Sequence, residues 1–207
     1  MAMTFPVSGG SGDFKRVPAG THVALCNIVA DLGIQPGSGM YPDPKRKLYL
    51  RFEIPSERVQ YEKDGKQVDA PATISREFTA SMNEKATLRK FLEGWRGRKF
   101  TDAEAATFDV SKVLGQPCLL NVTETEKGGE TYANVASASP LIKGMPAPSA
   151  ENDLLLYSAD DRSCYERLPK RVKEKVDQQL QPKTERSIME DEARFHHAPE
   201  GADYGNW

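Results

Sequence analysis

Two kinds of side chain recur together along this chain: flat aromatic rings and cations. Tyr49 and Arg51 alternate with Leu48, Leu50 and Phe52, and Tyr41, Lys45, Arg46 and Lys47 stand just before them. Arg76 lies between Ile74 and Phe78, and Tyr132 follows the turn-forming Lys127-Gly128-Gly129. A tyrosine ring offers a face on which an unpaired base can stack, and Lys or Arg between rings neutralises the phosphates that join such bases. The mixture suits a single-stranded polynucleotide. Tyr41, Lys45, Arg46, Lys47, Tyr49, Arg51, Arg76 and Tyr132 are therefore the candidate binding residues. An ordinary solvated strand face beside a basic loop has a similar composition, so the mixture does not exclude a simple wet surface.

Catalytic patterns are missing from the sequence. It has no Gly-rich phosphate loop followed by Lys-Ser/Thr, no serine nucleophile elbow and no HExxH. Of three histidines, His22 falls in a strand-like segment, and His196 and His197 fall in a terminal stretch without periodicity, where no proton transfer can be positioned. Cys26, Cys118 and Cys164 are far apart, with no CxxC pair. An odd count without ligand spacing argues against both a disulfide scaffold and a metal site. The expectation is a binding protein, not an enzyme, with no cofactor and no metal.

The formal net charge of −2 hides an uneven distribution. Between Lys85 and Lys99 there are six cations and one acid, Glu93; from Glu190 onward there are five acids and one Arg. The basic stretch also carries Leu88, Phe91, Leu92 and Trp95 at i, i+3, i+4 and i+7, which reads as an amphipathic helix whose charges form its wet face. The acidic stretch ends in Tyr204 and Trp207. Aromatics in an otherwise polar tail suggest a docking peptide for protein partners, although a tail without function has the same look.

The elements that must position these residues follow from periodicity. Strands are expected at about 21–32, with Val23, Leu25 and Val29 on one face, at 48–54, 73–80 and 118–125, and from 130 to about 138. Gly33 to Lys47 is a broken loop, and Asp64-Gly65 is a turn signal. Tyr49, Arg51 and Glu53 project opposite Leu48, Leu50 and Phe52. Ser81 and Glu84 form a capping box for the helix, Thr101 and Glu104 form another, and Gly94 or Gly97 can end the first helix. Three strands, a helix and two strands is the element order of an OB fold, whose ligands lie on strands two and three and the adjoining loops.

The fold class expected is mainly β: a five-stranded OB-type barrel with a helix between strands 3 and 4, a C-terminal helix and a disordered acidic tail. Its organisation is a flexible arm at 1–15, the barrel at 16–141, a linker and charged helix at 142–180, and the tail at 181–207. DLLLYS is expected to be a short docked segment. Leu168, Val172, Val176 and Leu180 form a thin apolar stripe that Pro169 weakens. No apolar run approaches the roughly 20 residues needed to cross a bilayer, and the N-terminus lacks a secretory pattern, so a cytoplasmic location is expected.

PAGTHVALCNIV, KLYLRFEIP, NEKATLRKFLEGWRGRKF and VLGQPCLLNVTETEKGGETYANVASASPL together resemble bacteriophage replication-associated OB-fold proteins that bind single-stranded DNA. The resemblance spans about Arg16 to Leu141. It implies coating and protection of exposed strands in phage DNA replication or recombination. It also implies recruitment of replication or recombination proteins through the tail, and a possible homo-oligomer. The tail ends Tyr-Gly-Asn-Trp, where bacterial tails of similar design end in an acidic stretch and Pro-Phe. A protein-interaction module without DNA affinity and a small virion structural protein are the rival readings.

Overall fold

Alternating apolar residues and well-placed turn glycines make this chain mainly β. The computed structural model describes residues 16–37, 39, 42–63 and 65–180. Strands β1 (Gly20–Gln35), β2 (Lys45–Lys63), β3 (Lys66–Thr79), β4 (Pro117–Lys127) and β5 (Glu130–Ser139) form an antiparallel sheet in the order β3-β2-β1-β4-β5. The sheet curls into a half-barrel. Helix α1 (Thr87–Arg96) and the short α2 (Asp102–Thr107) lie between β3 and β4. A sixth strand, β6 (Leu155–Tyr157), pairs with β1 in parallel, and α3 (Lys170–Asp177) follows it.

The core inside the curl joins Leu48, Leu50, Phe52 and Ile54 of β2 to the apolar stripe of α1. Phe52 meets Trp95 at 5.4 Å and Phe78 meets Phe91 at 4.9 Å, centroid to centroid, within the range that aromatic pairs favour. Trp95 Nε1 donates to the Pro117 carbonyl at 2.9 Å, so the indole is buried with its one donor satisfied. Gly97 has φ +71° and ends α1 in the left-handed region. Gly94 stays inside the helix. A Cβ there would stand 2.9 Å from the Ala138 carbonyl oxygen, so its role is close approach to β5.

Several local expectations are corrected. Ser81 does not cap α1: the N-cap is Ala86, without a side-chain bond, and the Ser81 hydroxyl accepts from the Asn83 N–H instead. Thr101 and Glu104 do form their capping box. Lys45, Arg46 and Lys47 belong to β2 rather than to a loop. Neither β2 nor β3 stops at the barrel. They continue as a two-stranded ribbon to the turn at Gly65, and the shift between Ile54 and Arg58 places Pro55 in a bulge, where no ladder N–H is needed.

A second irregularity, between Cys26 and Ile28, turns β1 over. Ala24, Cys26 and Val29 face the inner core, while Ile28, Ala30 and Leu32 face a second core with Tyr49, Leu155, Tyr157, Leu168, Val172 and Val176. Val29 therefore does not share the face of Val23 and Leu25 as the alternation predicts. Pro169 starts α3 as its N-cap rather than breaking it, and Leu180 is exposed. The far side of β2 is thus covered by the chain's own residues 151–176. Glu53, expected on a wet face, is fully buried; its carboxylate accepts from the backbone N–H of Glu151 and Asn152 and from Asn152 Nδ2, at 2.7 to 2.9 Å.

The thiols of Cys26 and Cys118 are buried, and burial pushes that of Cys118 up to about 12 and that of Cys26 higher still. Among the described residues no cluster of His, Cys, Asp and Glu is placed to hold a metal ion, and no helix is long and apolar enough to cross a membrane.

Candidate nucleic-acid interface

The strands leave one break. No ladder joins β3 to β5 among the described residues, and along this break runs a groove of about 1030 Å³. Every residue from Ala70 to Glu77 lines it, and so does every residue from Thr131 to Val135. Successive strand residues point to opposite faces. Consecutive lining therefore means that the groove wraps the free edges of both strands.

Arg76 spans the break. Its side chain has the parity of the core residues Ile74 and Phe78, and Nη1 donates to the carbonyls of both Val135 and Ala136 at 2.8 Å. A bulge in β5, opposite Asn121/Val122, lets two successive carbonyls reach one donor. The guanidinium also lies 4.9 Å from the Phe78 ring centroid, and burial lowers its pKa. Arg76 therefore joins the two strand edges through its side chain as well as lining the groove.

Five cations line the groove, Arg16, Arg51, Arg76, Arg171 and Lys175, against one carboxylate, Glu77. Lys175 Nζ lies 2.6 Å from Glu77 and is neutralised by it. The four arginines have no carboxylate within ion-pair distance among the described residues. Arg16 donates to the Thr131 carbonyl, and Arg51 Nε donates to Asn27 Oδ1 at 3.1 Å. Two aromatic rings complete the rim. Tyr132 is 46% exposed, its hydroxyl bonded to Glu130 at 2.7 Å. Tyr61 is 40% exposed, on the ribbon face that it shares with Val59. Those exposures leave ring faces open to a base.

Of the residues expected from the sequence, the groove brings together Arg51, Arg76 and Tyr132. It leaves out Lys45, Arg46 and Lys47. Arg46 is held by Asp31, and Lys47 Nζ donates to Thr79 Oγ1 at 3.0 Å. Tyr49 is corrected outright: at 8% exposed it belongs to the second core beneath β6 and α3, and no base can reach its face. Tyr41, Tyr204 and Trp207, and the stretch expected to be a disordered tail, lie outside the described residues. The sequence reading missed Tyr61, Arg16, Arg171 and Lys175. Val59 and Tyr61 carry the alternation that points to the first, but they lie beyond the strand expected at 48–54.

Comparison with family models, with curated proteins and with solved structures returns no match for this chain.

Proposed function

We propose that the half-barrel is an OB-type barrel that binds single-stranded DNA along the β3–β5 groove, in the manner of a phage replication or recombination protein that coats exposed strands. One observation carries the reading: four arginines without a carboxylate partner among the described residues share a groove with two exposed tyrosines, on a chain whose net charge is −2. Guanidinium groups grip phosphate through paired N–H donors, and tyrosine faces accept any base, so the surface favours strands over duplex with little dependence on sequence. The acidic segment from Glu190 onward would serve as the docking peptide for partner proteins.

Free strand edges also suit an extended peptide, which is the reading of a protein-interaction module. Here the β5 edge is blunted. Arg16 occupies the carbonyl of Thr131, and Arg76 occupies those of Val135 and Ala136, leaving fewer acceptors for an added strand. The nucleic-acid reading is favoured for that reason.

Fluorescence anisotropy of a labelled oligothymidylate at two salt concentrations tests it. Binding that weakens with salt and exceeds duplex binding is the expected result. Equal affinity for single and double strands would leave only general electrostatics, and no binding at low salt would return the groove to a peptide partner.

A further inference from the structure

The groove has two ends, and they differ. Tyr132 and Arg16 lie at the β5 side, and Tyr61 lines the groove from the ribbon. Across the free edge of β3, on the face that Glu77 shares with its ladder partner Tyr49, the lining is polar: Arg51, Ser75 and Asn152, with Arg171 and Lys175 from α3. Arg51 is the ladder partner of Ser75. Its Nε is fixed by Asn27 Oδ1, and its two terminal nitrogens have no partner among the described residues.

Neither nearby carboxylate forms an ion pair with Arg51 among the described residues. Glu53 is held by three N–H donors from Glu151 and Asn152, and Glu77 by Lys175. Asn27 is fully buried, and its Nδ2 has no partner among the described residues. Turning the amide over would set a donor against the Arg51 N–H, so a flip does not remedy it. Burial lowers the Arg51 pKa, outweighing the attraction of Glu53, which stands two residues along the same strand face without bonding to it. Arg171, exposed and without a carboxylate among the described residues, faces the same space.

We infer that this end of the groove is a phosphate subsite, in which Arg51 and Arg171 hold one phosphate group of a bound strand, with Ser75 and Asn152 beside it. The inference rests on the nucleic-acid reading and extends it. A strand would cross the free edge of β3 from the tyrosine end to α3, so α3 forms part of the binding surface.

The test uses the full chain and two proteins: wild type and Arg171→Glu. Thermal melting checks that each is folded; Arg171 is exposed, so its reversal leaves the fold intact. Anisotropy with oligothymidylate ending in a 5′-hydroxyl or a 5′-phosphate is measured across salt. In parallel, sodium pyrophosphate is titrated while the Arg51 Nε–H resonance is followed. Arg171→Glu should weaken oligonucleotide binding about tenfold at low salt, the size of one lost charge-assisted contact. It should also flatten the log–log salt slope by about 0.7. Tighter binding of the 5′-phosphate oligonucleotide would identify the group as a terminal phosphate, and equal binding as an internal phosphodiester; both support the subsite.

If wild type and Arg171→Glu bind with the same affinity and slope, the subsite is wrong while the nucleic-acid reading stands. If no oligonucleotide binds but pyrophosphate moves the Arg51 resonance, the phosphate subsite stands and the nucleic-acid reading falls. If neither binds, both fall.

Discussion

A strongly basic stretch of the sequence and the groove richest in unpaired charge are different places. Lys85 to Lys99 holds six cations against one acid, yet three of them are neutralised where they stand. Arg89 pairs with Glu93 at 3.1 Å and Asp102 at 3.2 Å, and it donates to the Phe100 carbonyl. Arg96 and Arg98 share Glu104. The groove draws its arginines from positions 16, 51, 76 and 171, never two together in sequence, and none has a carboxylate partner among the described residues. A cation's availability is set by what folds against it, so the corner between α1 and α2 is held together by its charges while the groove leaves its arginines without a carboxylate partner among the described residues.

That contrast can be broken most sharply by charge reversal. Arg16→Glu with Arg171→Glu should lower oligonucleotide affinity by more than about tenfold at low salt, because two phosphate contacts become repulsions. Lys90→Glu with Lys99→Glu on the exposed side of the α1 region should leave affinity within about twofold. Equal losses in anisotropy would show that only total charge matters.

A step smaller is the stacking contribution. Tyr132→Ala and Tyr61→Ala should each weaken single-strand binding by about 1–3 kcal/mol, with duplex binding unaffected. An unchanged Kd for either variant would remove that ring from the interface.

Arg89→Met probes the other region. It strips a shared partner from Glu93, Asp102 and the Phe100 carbonyl, so the melting temperature should fall while oligonucleotide affinity stays the same. A loss of affinity in a folded Arg89→Met protein would dissolve the distinction between the two regions.

The finest effect is one of pH. The Thr101 N–H, together with Arg96 and Arg98, holds the Glu104 carboxyl down at about 2, against an ordinary 4.5. A depressed carboxylate stabilises the fold above its ordinary pKa and loses that contribution as pH falls through the folded value. Glu104→Gln should therefore melt below wild type at neutral pH, with the gap closing between about pH 4.5 and 2. A gap that persists at pH 2 would assign the loss to packing.

Much of the fold was legible because its signals are local. The alternation of Leu48, Leu50, Phe52 and Ile54, the stripe Leu88, Phe91, Leu92, Trp95 and the glycine turns each declare themselves within ten residues. The irregularities that shape the site do not. The bulge at Asn27 turns β1 over without any special residue type to announce it, and Pro55 conceals that β2 continues. Tyr49, Arg51 and Glu53 alternate as a wet face should, and nothing near them reveals that Tyr157, Leu168 and Val172 will cover it from a hundred residues away. Of the groove, Arg51, Arg76 and Tyr132 were found through their chemistry. Arg171 was hidden as one charge among many on a polar helix.

The reversal of β1 also sets a timetable for synthesis. Ile28, Ala30 and Leu32 are fully buried in the finished protein, but their cover, β6, is made about 125 residues later. At roughly 5–20 residues per second, a ribosome leaves that apolar strip bare for roughly 6 to 25 s. During that interval the nascent chain presents a ready surface to chaperones, and to other nascent chains on the same message.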